Sequence, residues 1–241
     1  MELNDLVRLT NNVWIYPHSE QSIQPNIGII TTKKSTILID CGNSPKHAKN
    51  IEQSLQKIGA PPVEFIIYSH HHWDHTFGSS YFNGTFISHE LCYNHLKSYS
   101  GIKWNKKYLE KEIEREPLLE GSNRKKMELI QDWESFKIIL PNITFKNEIT
   151  LHLGETTLEL SYIGGRHAND SILVKELESN VIFVGDCFYP PSLHLRKEGD
   201  TYDLDILKKL EQEAADVYVH GHGEPANLKE LKDIISSIEQ D

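Results

Sequence analysis

Four imidazoles and a carboxylate fall within six residues of this chain, in Ser69-His70-His71-His72-Trp73-Asp74-His75. Imidazole and carboxylate are good ligands for zinc, and for iron or manganese as well. On a helix, metal-binding histidines favour an i, i+4 spacing. Here the run instead follows residues 63–68 (VEFIIY), a nearly continuous apolar stretch of the buried-strand kind. Alternate residues leaving a strand share a direction, so His70 and His72 are expected to point the same way and His71 away from them. Asp74 and His75 then enter a first helical turn and face a second metal.

Three later positions are candidates for the remaining ligands. His167 stands in Gly164-Gly165-Arg166-His167-Ala168-Asn169-Asp170, Asp186 in Val184-Gly185-Asp186-Cys187, and His222 in His220-Gly221-His222-Gly223. Each is expected in a loop at a strand end, where a rigid sheet holds diverging side chains in place. Cys187, directly after Asp186, is the alternative ligand if the register is shifted by one.

The elements that must hold these residues are legible from periodicity. Residues 13–16, 27–32 and 36–40 read as short strands separated by polar turns. Asn43-Ser44-Pro45 caps a helix in which His47, Ala48, Ile51, Leu55 and Ile58 recur at helical spacing, with Gly59 as its stop. Residues 85–87 read as a further strand. From 89 to 136 the pattern is helical and highly charged, with eight lysines and arginines between 103 and 126 and a break expected at Gly121-Ser122-Asn123. This segment is either a solvated helical insertion or a cap over the active site. As a cap, it would offer Lys103, Lys106 and Lys107 to an anionic substrate. Strands are expected at 143–145, 148–153, 157–163, 171–176, 180–184 and 217–220, and helices at 204–214 and 228–239. Two similar successions of strands and helices suggest an α/β sandwich in one domain, residues 1–241.

Composition narrows the function. The hydrophobic share is 38% with mixed charges, as in globular proteins, and no stretch approaches the roughly 18 apolar residues of a spanning helix. The first residues, MELNDLVRLTNNVWIYP, do not form a secretory signal, so a cytoplasmic location is expected. A net charge of −10 argues against a nucleic-acid binder. The three cysteines, Cys41, Cys92 and Cys187, form neither a disulfide framework nor a CxxC zinc pattern. The expected partner is a small-molecule substrate, with neither nucleic acid nor membrane.

The set HxHxDH, then His, Asp and His, over about residues 10–225, resembles the metallo-β-lactamase superfamily. Ile37–Gly42 (ILIDCG) is similar to that superfamily's strand and turn before its first helix. The resemblance implies a four-layer αββα sandwich with metals in a cleft at the sheet edges. It implies that His70, His72 and His167 hold one metal, that Asp74, His75 and His222 hold a second, and that Asp186 bridges them. Two such ions, roughly 3.5–4 Å apart, share a water and lower its pKa toward ~7, so a metal-bridging hydroxide attacks the substrate. Asp74 would orient that nucleophile or take its proton. The expected cofactors are two divalent ions, zinc first, with iron or manganese compatible with the same donors.

One fold hosts many reactions, so the substrate is a separate question. Tyr189, three residues after Asp186, resembles the tyrosine of acyl-homoserine lactonases that contacts the substrate carbonyl; packing is the other role open to it. The flavodiiron members carry a glutamate where His72 stands, which this chain does not. The expectation is a dinuclear hydrolase of a small ester, lactone, thioester or amide. The alternative is a mononuclear non-haem iron persulfide dioxygenase.

Overall fold

The strands of this chain carry branched apolar residues on both faces, which is stable only where each face is covered. The computed structural model describes residues 6–240 and covers them with four layers. Residues 1–5 and 241, the outermost of the expected 1–241 domain and including the start of the N-terminal segment, lie outside the described residues.

The first sheet contains β1 (Val7–Arg8), β2 (Val13–Tyr16), β3 (Ile27–Thr31), β4 (Thr36–Ile39), β5 (Val63–Ile67), β6 (Thr85–His89) and β7 (Ile143–Phe145), in that order. β1 to β4 run antiparallel, and β4 to β7 are parallel to one another. The second contains β8 (Glu148–His152), β9 (Thr157–Tyr162), β10 (Ile172–Glu176), β11 (Val181–Gly185) and β12 (Val217–His220), ordered β12-β11-β10-β9-β8. Only its β11–β12 pair is parallel.

Period-two alternation divides each strand between two cores. Ile37 and Ile39 of β4 meet Val181 and Phe183 of β11 between the sheets, with Ile30, Ile67 and Leu160. Leu38 points the other way, under α1 (Pro45–Lys57), where Ala48, Ile51 and Leu55 cover it. Ile182 and Val184 likewise point outward, under α6 (Leu204–Gln212) and α7 (Leu228–Ile238). Ser44 caps α1 by accepting from the His47 N–H, with Pro45 in the first turn, as the sequence indicates.

Between β6 and β7 lie α3 (Glu90–Tyr99), α4 (Lys106–Arg115) and α5 (Glu120–Leu129), while a single turn, α2 (Trp73–Thr76), follows β5. The break expected at Gly121-Ser122-Asn123 is not there; those residues form the first turns of α5. The interruption comes at Pro117, which opens a short 3-10 turn after α4. Proline disfavours helix in the residue before it, whereas one helical glycine costs only about 1 kcal/mol. The strand expected from Asn180 begins at Val181, because Asn180 takes a left-handed φ of +51° in the turn before it. Among the described residues no helix is long and apolar enough to cross a membrane.

Candidate metal centre

Each expected ligand sits at or just beyond the end of a strand. His70 and His72 follow β5, and Asp74 and His75 lie in α2 immediately after them. His167 occupies the loop between β9 and β10, Asp186 follows β11, and His222 follows β12. The fold brings all seven together. The donor atoms of His70, His72 and His167 lie within 4.8 Å of one another, and so do those of Asp74, His75 and His222. Asp186 stands between the sets: its Oδ2 is 3.4 Å from His167 Nε2 and 3.5 Å from the Nε2 atoms of both His75 and His222.

Asp40 holds two of these imidazoles in one tautomer. It leaves β4 with a left-handed φ of +66°, a conformation that aspartate tolerates better than most residues. Its Oδ1 accepts the Ser69 N–H at 2.7 Å, and its Oδ2 accepts the Ser69 hydroxyl and His75 Nδ1–H, each at 2.7 Å. With the Ser69 proton spent on Asp40, Ser69 Oγ accepts from His70 Nδ1–H at 3.0 Å. In the neutral form of each ring this leaves Nε2 as the free nitrogen facing the centre. The same holds for His167, since its Nδ1–H donates to the Pro190 carbonyl at 2.8 Å. Its Nε2 then stands 3.0 Å from His72 Nδ1.

The protein alone leaves this centre unsatisfied. His70 Nε2, His75 Nε2 and Asp186 Oδ1 are buried without a hydrogen-bond partner. Each such atom costs about 1–3 kcal/mol, and donor atoms of these three residues lie within 4.8 Å of one another, close enough to share a cation. Gly221 leaves room for this carboxylate, since a Cβ there would overlap Asp186 Oδ1. The donors fit divalent metal ions: imidazoles and carboxylates, with no thiolate. Burial, reinforced by His167 and His71, pushes His72 down to about 3. Burial works against ionised Asp74, yet His75 and His222 bring it down to about 2. Asp186 is held well below the usual carboxylate range, burial being outweighed by the same two histidines.

His71 is turned away from these seven, as expected, and bonds Asp170 through Nδ1 at 2.8 Å. Cys187 is not a ligand in this arrangement. Its side chain is buried in the apolar cluster with Phe188, Leu207 and Leu210 and joins none of the grouped donors, so the geometry favours Asp186 over the shifted register.

Tyr189 reaches the cleft, but its hydroxyl is already engaged. His220 Nε2 faces the Glu224 carbonyl at 2.8 Å and must donate to it, which leaves Nδ1 to accept the Tyr189 proton. The phenol oxygen accepts the His222 N–H at 3.2 Å. In this structure the phenol ties the His222 loop to His220, and the expected hydrogen bond to a substrate carbonyl would compete with these contacts.

The metal-facing groups open into a cleft of about 1180 Å³. Tyr99, Trp104, Tyr108 and Leu109 from the 89–136 segment line it, together with Phe188 and Leu193. Lys103, Lys106 and Lys107, the cations expected to meet an anionic substrate, do not line it and are exposed. They lie on or just before the solvent face of α4, whose buried residue is Leu109. Among the lysines and arginines that do line it, Lys126 is the buried one, on α5 and indistinguishable in sequence from its charged neighbours. Asp40 was also unassigned from sequence, though an acid ending an apolar strand was a usable signal.

The model of the metallo-beta-lactamase superfamily matches residues 22–222. The chain belongs to this superfamily. Its members are generally hydrolytic metalloenzymes that bind divalent metals and act on small molecules. Solved structures agree in fold. A metallo-beta-lactamase from Pontibacter korlensis is 18% identical, with a TM-score of 0.66 over 98% of this chain and 99% of its own. DIM-1 metallo-beta-lactamase is 20% identical, with a TM-score of 0.62 over 98% and 100%. A metallo-beta-lactamase family protein from Thermus thermophilus is 17% identical, with a TM-score of 0.68 over 97% and 81%. No curated protein matches the sequence.

Proposed function

We propose that this superfamily member is a dinuclear metal-dependent hydrolase of a small ester, lactone, thioester or amide. The observation that carries the reading is Asp186 Oδ2, within 3.5 Å of imidazole nitrogens from both ligand sets. His70, His72 and His167 would hold one ion, Asp74, His75 and His222 the other, and Asp186 both. Two divalent ions, zinc first, supply when bound a water of lowered pKa and Lewis-acid stabilisation of a developing oxyanion.

The chain's residues do the rest. Asp40 and Ser69 fix the protons of His70 and His75 on Nδ1, so neither ring must reorganise to bind metal. Asp74, held ionised, accepts a hydrogen bond from the attacking water and aims it. Tyr189 clamps the loop that carries His222. The 89–136 segment acts as a wall over the centre, and its aromatic side chains exclude water around the scissile group. A mononuclear iron dioxygenase would leave Asp74, His75 and His222 without a metal to share, so the converging second set favours the hydrolase.

The test is a panel of p-nitrophenyl esters, thioesters, lactones and β-lactams offered to zinc-loaded protein. Hydrolysis of at least one class is expected, lost on chelation, restored by zinc and abolished by His72→Ala. Hydrolysis that survives both chelation and His72→Ala, or oxygen uptake with a persulfide in place of any hydrolysis, would overturn the proposal.

A further inference from the structure

Lysine is rarely buried, and when it is, a carboxylate usually compensates it. Lys126 is only 9% exposed and lines the metal cleft. Its neighbours Arg115, Arg124 and Lys125 each pair with a glutamate. Lys126 has no such partner among the described residues. Its Nζ donates one hydrogen bond, to Asn123 Oδ1 at 2.9 Å, and lies 5.1 Å from the centre of the Trp73 ring. Asn123 is itself 2% exposed and donates to the Leu109 carbonyl, so the ammonium is held in a fixed position between α4 and α5. An ammonium has three protons, and the amide takes one.

The surroundings define the missing partner. Trp73 directly precedes Asp74, so the ammonium stands over the residue next to the metal-facing carboxylate. The other two cations lining the cleft differ from it. Arg166 is committed to Asp200 and Asp203, and Arg196 is exposed. Around Lys126 the cleft offers aromatic and aliphatic faces, including Phe77, Trp104 and Leu119, and the carboxylates of Asp74 and Glu112 act on its charge without forming an ion pair with it. A dianion there would leave one charge uncompensated in an apolar setting.

We propose that Lys126 anchors the carboxylate of the substrate, an apolar acyl compound that carries one carboxylate remote from the bond to be cleaved. The anchor fixes which end of the molecule enters, with the acyl body against the aromatic wall and the scissile carbonyl toward the metal ligands. This inference rests on the metal-dependent hydrolase reading, which supplies the other end of the binding mode. Lys126 is a specificity residue and takes no part in bond breaking.

The probes are ω-mercaptoalkanoic acids of increasing chain length and their matched carboxamides, measured by calorimetry on zinc-loaded protein. The thiol occupies the metals and leaves the far end to reach Lys126. At one chain length the acid should bind at least about tenfold tighter than its amide, the scale of one hydrogen bond to a charged group. Lys126→Met should erase that difference, and Lys126→Arg should keep most of it. Thermal unfolding separates this from a structural role: removing an unpaired buried cation should leave Tm unchanged or raise it, and Lys126→Gln serves if the methionine variant does not fold. A folded neutral variant that keeps the acid preference, or a wild type with no preference at any length, overturns the anchor. If no thiol binds the wild type, the metal reading fails, and the anchor with it.

Discussion

Asp40 Oδ2 accepts the Nδ1 proton of His75 at 2.7 Å and, through Ser69, sets the Nδ1 proton of His70. One buried carboxylate thus orients an imidazole in each proposed metal site. Asp40→Asn should break this relationship with little change in volume. Its amide can donate toward His75 Nδ1, which puts the ring proton on Nε2, where metal must bind. Metal affinity should fall by about 10–100-fold, the usual effect of losing such a partner, measured by competition with a chelating dye. Unchanged affinity would assign Asp40 to folding alone.

Tyr189 is predicted to act through His222. In Tyr189→Phe the ring packing stays, but the His222 N–H and His220 Nδ1 lose their partner. The second ion should bind more weakly while the first is retained, and activity should recover in excess metal. A variant that keeps both metals at wild-type affinity yet loses about 10²–10³ in kcat would return the phenol to direct substrate contact.

For Cys187 and Asp186 the contrast is one of metal content. Cys187→Ser should keep both ions and lose stability, since a hydroxyl replaces a thiol in an apolar pocket, at a cost of about 1–3 kcal/mol. Asp186→Ala should lose the shared ligand and the activity. A serine variant that folds normally but has lost its metal would move the ligand by one residue.

These contrasts separate what sequence carries from what only folding supplies. The proposed ligands are legible because their spacing matches strand ends: VEFIIY positions His70 and His72, and the apolar run before Asp186 positions the carboxylate proposed to be shared. The layers follow from residues such as Ile37, Leu38 and Ile39, whose alternation is apolar on both sides. Lys126 has no local signature. It becomes distinct only when α4 and α5 pack and Asn123 bonds across to Leu109, a tertiary event that no window of sequence records. Tyr189 is similar, since its role depends on His220, 31 residues away.

Lys126 also gives a dependence on pH. Burial pulls it from 10.5 to about 8, with Asp74 and Glu112 opposing the shift. The native ammonium therefore loses its proton at lower pH than the unfolded one. Carboxylate affinity should be full below about pH 8 and decline above it in the wild type, while Lys126→Arg, still charged, stays flat. Between about 8 and 10.5 the unfolded chain binds more protons, so wild-type stability should rise relative to Lys126→Met. Parallel profiles for the three proteins would contradict the assignment.

The central claim is that seven side chains from four strand ends form one two-metal centre, and the metal-to-protein ratio tests it most directly. Four ligands satisfy one tetrahedral zinc, so seven exceed what a single ion uses. Elemental analysis of zinc-saturated, desalted protein should give two ions per chain, and His71→Ala should leave that number unchanged. One ion per chain at saturation, with the protein folded, would contradict the dinuclear centre.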